Sequence, residues 1–82
     1  MRRVMEPASV RCRDGRPVEV RWPQPAPTTT VHVTQVLDDW DYVGHWWADE
    51  VRRRYRLLEG DGGRLIEVFE EEDAWWVSRA SD

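Results

Sequence analysis

At 82 residues the chain has room for one domain and one modest core. A formal net charge of −4 argues against a generic nucleic-acid binder that works by phosphate neutralisation, while leaving room for a local basic stripe. A single cysteine, Cys12, excludes an internal disulfide, and no apolar run approaches membrane-spanning length. All twelve basic residues are arginine, which pairs bidentately with carboxylates and stacks on rings. Arginine codon bias is the simpler source of that usage, and the fold then uses what the bias supplies. Met1 to Pro7 carries two arginines with no apolar stretch behind them, so it does not read as a signal peptide. The expected setting is cytoplasmic, with no membrane, and the expected organisation is a single β domain over 1–82.

Ser9 to Arg13 and Pro17 to Trp22 read as strands around Asp14-Gly15, a turn dipeptide. A loop centred on Gly15 sets Cys12 against Val18, Val10 against Val20 and Arg11 against Glu19. Val18, Val20 and Trp22 alternate with Glu19 and Arg21, the pattern of a half-buried strand. The Pro-rich loop 23–27 ends that strand, because three prolines in five residues favour an extended segment poor in hydrogen bonds. It reads as a stiff surface connector before it reads as a ligand for an aromatic groove.

Thr28 to Leu37 is β-branched and forms the next predicted strand. Its alternation slips between Val33 and Val36, which places a bulge near Thr34-Gln35. Asp38 to Glu50 is acidic and aromatic, and reads as a loop whose rings pack back onto the sheet. Val51 to Glu59 supports two readings. Val51, Tyr55 and Leu58 have helical spacing, with Gly60 as a terminator. Asp61-Gly62, however, is a two-residue hairpin signal. A hairpin centred there pairs Leu57 with Ile66, Tyr55 with Val68 and Leu58 with Leu65. It also pairs Arg56 with Glu67, Arg52 with Glu71, Arg53 with Glu70, Glu59 with Arg64, and sets Arg54 against Phe69. Such cross-strand pairs contribute roughly 0.2–1 kcal/mol each, and a helix explains none of them. The hairpin is therefore the expectation. The acidic run 70–73 then leads into a last strand, Ala74 to Arg79, with Trp75 and Val77 on one face and Trp76 and Ser78 on the other. The expected fold is all-β: a small antiparallel curled sheet or partly open SH3-like barrel of about five strands.

Four of the six tryptophans form two adjacent pairs, Trp46-Trp47 and Trp75-Trp76. Neighbours on a strand point to opposite faces. One ring of each pair must cover an edge, fill a second cluster or meet a partner. Several segments also carry a resemblance. Val36-Leu37-Asp38-Asp39-Trp40 followed by Trp46-Trp47, then Arg53-Arg54-Tyr55, Gly62-Gly63, Glu67-Val68-Phe69 and Trp76 with Asp82 resemble a small uncharacterised actinobacterial domain. Met1-Arg2-Arg3 with Glu6-Pro7 fits the same likeness. That domain is similar to the C-terminal segment of the catalytically defective Y-family polymerase-like subunit of the bacterial mutasome. The resemblance implies an antiparallel β fold and a setting in DNA-damage tolerance. It implies no functional residues. The chain departs from it at Trp22 and the proline loop, where the family has a basic-aromatic strand, at Phe69-Glu70-Glu71, and at Ser81, where the family ends on an aromatic.

No nucleophile, base and orienting group are spaced for catalysis, so no enzyme is expected. His32 reads as a surface or edge residue, His45 as packed against a ring, and Cys12 as a small core residue. Asp38, Asp39 and Asp41 read as a solvated acidic turn, and no metal or other cofactor is expected. The leading expectation is a protein partner, met by Trp40, Trp46, Trp47, Trp76 and Arg54, since exposed tryptophan and arginine make interface hot spots. The alternative is a single-stranded nucleic-acid-binding β domain that uses Arg52, Arg54 and Arg56 with stacking by Phe69 and Trp76.

Overall fold

A computed structural model describes residues 1–23, 27–46 and 49–81. Six strands follow one another: β1 Arg2–Arg13, β2 Arg16–Trp22, β3 Thr29–Trp46, β4 Asp49–Gly60, β5 Leu65–Glu71 and β6 Ala74–Ala80. Each pairs antiparallel with the next, and β6 returns to pair with β1. The sheet thus closes into a ring, which removes most exposed edges. It is not a regular barrel. No helix is long and apolar enough to cross a membrane among the described residues.

Two strands turn the corners. β1 pairs with β6 through Arg2–Ala8 and with β2 through Ser9–Arg13. β3 pairs with β2 through Thr29–His32 and with β4 from Val33 onward. In β3 the register slips just after the change of partner, between Val33 and Gln35. In β1 it slips on either side of the change, between Arg3 and Glu6, where Met5 takes φ 49°, and between Arg11 and Cys12. Strands that pass from one sheet to another do so by such bulges and bends. The bulge expected near Thr34-Gln35 is present, between Val33 and Gln35. Thr34 Oγ1 donates to the Glu59 carbonyl at 3.0 Å, and Gln35 Nε2 donates to Glu59 Oε1 at 2.7 Å. A second slip follows between Val36 and Asp38.

The core lies between the two parts of the ring. Val20, Trp22 and Val31 come from β2 and β3, and Leu58, Ile66, Val68, Val77 and Ala80 from β4, β5 and β6. Burying a side chain of this size contributes roughly 1.5–3 kcal/mol. The inward alternation of Val20 and Trp22 is as the sequence predicts.

Several expectations are corrected. The ring closes and has six strands, where a partly open barrel of about five was expected. Arg2–Ala8 extends β1 well before Ser9 and supplies the closing ladder with β6. Cys12 pairs with Pro17, not Val18, because a bulge intervenes after Arg11↔Glu19, and its side chain is exposed. Val10↔Val20 and Arg11↔Glu19 are as expected, around Asp14 and Gly15 at φ 52° and 77°. Residues 38–46 and 49–50 are strand, not loop. Cross-strand pairing holds them extended despite their aspartates and glycine.

The largest correction concerns β4 and β5. The hairpin exists, but its register is one residue away from the expected one. Leu58 faces Ile66, Arg56 faces Val68, and Tyr55 faces Phe69. The turn uses three residues, Asp61–Gly63, closed by a Gly60 N–H to Arg64 carbonyl bond of 2.7 Å. Gly62 and Gly63 both take positive φ, so the longer turn is unstrained. The ion pairs change accordingly to Arg56–Glu70 at 2.8 Å and Arg53–Glu71 at 2.7 Å, with Arg52 on Glu50 and Glu67 on Arg79.

Gly60 is held by space, not by φ, which is −111°. A Cβ there would overlap Cγ1 of Val31, a stiff and fully buried side chain, and would crowd the His32 carbonyl. Gly60→Ala should therefore destabilise the fold by about 1–3 kcal/mol, read as a lowered denaturant midpoint at unchanged slope.

Candidate functional site

The corrected register assembles one row of rings. Trp40 on β3 lies opposite Tyr55 on β4, Tyr55 opposite Phe69 on β5, and Phe69 opposite Trp76 on β6. Pro7 on β1 lies opposite Trp76 and extends the row. All occupy the sheet face that looks away from Leu58, Ile66 and Val68. Trp40 stacks on Tyr55 at 5.4 Å with planes 2° apart. Tyr55 tilts against Phe69 at 5.1 Å, and Phe69 stacks with Trp76 at 6.2 Å. Tyr42, two residues beyond Trp40, meets Tyr55 edge-on at 6.4 Å. Each such pair adds roughly 0.5–1.5 kcal/mol beyond area burial.

Arg53 closes the middle of the row. Its guanidinium carbon lies 4.5 Å from the Phe69 ring centre. Its Nε donates to Glu71 and its Nη1 donates to the Tyr55 hydroxyl oxygen at 3.2 Å. The bond to Glu71, and then that to Tyr55, raise the Arg53 pKa above the ordinary arginine value. Phe69 is consequently only 2% exposed although it lies outside the main core. The outer face thus has its own small cluster.

Exposure rises along the row toward β3. Tyr55 and Trp76 are half-buried, Trp40 is 39% exposed and Tyr42 48%. This end also borders a projection. β4 pairs with β5 only as far as Arg54↔Glu70, whereas β3 and β4 stay paired out to Trp46↔Asp49. Residues 42–46 and 49–53 therefore form a two-stranded ribbon beyond the ring. The row is anchored inside a multi-stranded sheet at Phe69 and ends open at the root of this ribbon.

The sequence-predicted residues separate into three groups. Trp40 and Trp76 belong to the row. The Trp75-Trp76 pair straddles the sheet: Trp75 packs on the core beneath Arg56, whose guanidinium carbon is 5.0 Å from its ring centre, and Trp76 stacks outside. Trp46 ends the described part of β3, but its side chain and the whole of Trp47 lie outside the described residues. Arg54 does not join the row. It pairs with Asp41 in the ladder, one residue from Tyr55, so it points to the opposite face.

That parity also separates the parts of the nucleic-acid alternative. Arg52, Arg54 and Arg56 share one face of β4, while Phe69 and Trp76 lie on the other face of the sheet. Asp38 is likewise parted from Asp39 and Asp41, and Asp39 lies 3.9 Å from Arg54. His32 is a surface residue as expected, 3.6 Å from Glu19, whereas the side chain of His45 lies outside the described residues. Sequence reasoning missed Tyr42, Tyr55 and Arg53 as members of this site and named Phe69, with Trp76, only in the nucleic-acid alternative. The i, i+2 pairs Trp40/Tyr42, Arg53/Tyr55 and Phe69/Glu71 are the signal that a three-residue turn would have brought together.

Compared with protein-family models, curated proteins and solved structures, the chain gives no match.

The two ends of the row should respond differently to truncation. Phe69→Ala should cost about 3–5 kcal/mol of unfolding free energy, because it empties a filled site. Trp40→Ala should cost about 1 kcal/mol, the value of one exposed stacked pair. Equal costs in urea denaturation would contradict the division into anchor and open end.

Proposed function

We propose that the chain is a non-enzymatic protein-interaction module whose contact surface is the open end of the aromatic row, Trp40 with Tyr42. The exposure gradient carries this reading. Phe69, Tyr55 and Arg53 fix the rings from behind, so the exposed members lose little freedom when a partner covers them. Rigid aromatic anchors next to arginine are the composition of interface hot spots. Trp76 forms the far flank of the same surface, and Trp46 ends the β3 side of the ribbon that borders it. The resemblance to the mutasome-associated domain supports damage-tolerant DNA synthesis in the cytoplasm as the setting.

This reading is preferred to single-stranded nucleic-acid binding for a geometric reason. A binder of that kind needs stacking rings and a basic track along one path. Here Arg52 and Arg56 are engaged by Glu50 and Glu70, on the face away from Phe69 and Trp76.

Partners captured by the wild-type chain should be lost from Trp40→Ala/Tyr42→Ala and retained by Thr30→Ala, an exposed control on β3. All three proteins should melt cooperatively. Undiminished capture by the double variant would refute the site. A single-stranded oligonucleotide should show no salt-sensitive binding, and binding that weakens steeply between low and moderate salt would favour the alternative.

A further inference from the structure

The ring is not zipped along its whole circumference. β2 and β3 pair from Trp22↔Thr29 to Glu19↔His32 and then part. Both strands continue, β2 back to Arg16 and β3 on through Val33. Two local causes separate them. Pro17 has no N–H to donate, and β3 bulges after Val33 as it swings over to β4. A cleft of about 500 Å³ opens between them. That lies within the roughly 300–1,000 Å³ typical of ligand clefts. Arg16 and Val18 line one wall, Val33 and Val36 the other, and Arg54 and Arg56 close the end.

The charges around the cleft are unevenly compensated. Arg56 is fixed, 2.8 Å from Glu70 and lying over Trp75. Arg54 is 57% exposed, and its carboxylate neighbour Asp39 sits at 3.9 Å, the limit of an ion pair. Arg16 lies directly opposite Arg13 in the β1–β2 hairpin. Like charges in that position destabilise a sheet. Among the described residues neither Arg13 nor Arg16 has a carboxylate partner. A chain with net charge −4 thus gathers uncompensated positive charge at one unpaired stretch of its sheet. A local conflict of this kind is what a ligand of opposite charge relieves.

We propose that this cleft is a second binding site, for an extended acidic peptide that lies along the unpaired stretches of β2 and β3. The two walls are strands with unused backbone groups, which suit an added strand. The valines give an apolar floor, and Arg16 and Arg54 stand at the rim to receive carboxylates at alternate positions of the peptide. A peptide suits the cleft better than a polyphosphate backbone because its own N–H and C=O groups can pair with the unpaired stretches of β2 and β3. The site is distinct from the aromatic row and does not depend on it.

The test is a fluorescence-anisotropy titration of the full chain with a short labelled peptide alternating glutamate and valine. Binding should weaken with salt. Arg16→Glu and Arg54→Glu should each weaken it by roughly tenfold or more. Trp40→Ala/Tyr42→Ala should bind the peptide as the wild type does, which separates this site from the surface proposed above. If either reversal fails to fold by circular dichroism, Arg16→Gln and Arg54→Gln give the same reading with packing retained. The proposal is overturned by absence of binding, by equal binding of the glutamine–valine peptide, or by loss of binding in Trp40→Ala/Tyr42→Ala alone. Tighter binding of a single-stranded oligonucleotide of matched charge would also overturn it, and would assign the cleft to phosphates.

Discussion

The pairing of Leu58 with Ile66 decides the character of both faces of the larger sheet. Side chains alternate with a period of two, so moving this register by one residue would exchange the two faces of one strand relative to the other. With Leu58 and Ile66 together, Val68 and Val77 also turn inward, and the core forms a single cluster. The same pairing forces Tyr55 outward against Phe69. Phe69 would be a costly exposed ring there, and it is not exposed because Tyr55, Trp76 and Arg53 enclose it. The aromatic row is thus a consequence of how the core is satisfied on the opposite face, since both follow from one ladder.

Closure of the ring imposes the second constraint. The ring closes around a small core because two of its long strands, β1 with 12 residues and β3 with 18, each change partner partway along. The corner in β3 leaves the lower part of β2 with a neighbour on one side only. Pro17 sits in that stretch, where a missing N–H does least harm. The cleft between β2 and β3 is the geometric residue of that corner.

Local signals reported some of this directly. Asp14-Gly15 marked the β1–β2 turn, and the pairs Val10 with Val20 and Arg11 with Glu19 follow from that turn together with the bulge between Arg11 and Cys12. The broken alternation between Val33 and Val36 marked the first bulge. The β4–β5 register was not legible, because Gly60, Gly62 and Gly63 tolerate turns of two or three residues equally. The choice falls to Leu58 and Ile66 meeting Val20, Trp22 and Val31 in the core, which are distant in sequence. Asp38 to Glu50 was misread for a related reason. Its aspartates and glycine disfavour strands, but twelve residues of β4 lie ready to pair with them and with what precedes them. Of the row, Trp40 and Trp76 stood out by residue type alone. Tyr42, Tyr55 and Phe69 acquire meaning only once the ladder is known.

The second bulge in β3 shows how closely the two proposed surfaces are tied. Inward positions on this strand run Val31, Val33, then Val36, then Asp39 facing Arg56. Each step of three in place of two marks one inserted residue, Thr34 in the first case and Leu37 in the second. Leu37 is the residue extruded, and it is 45% exposed. An exposed leucine has a modest cost, and its position has a clear effect. Without that insertion the inward series would continue Val36, Asp38, Trp40. Trp40 would then turn toward the cleft, and Asp39 would turn outward, away from Arg54. With it, Trp40 stacks on Tyr55 outside and Asp39 approaches Arg54 inside. One extra residue in one strand therefore places a ring on the outer surface and a carboxylate by the cleft.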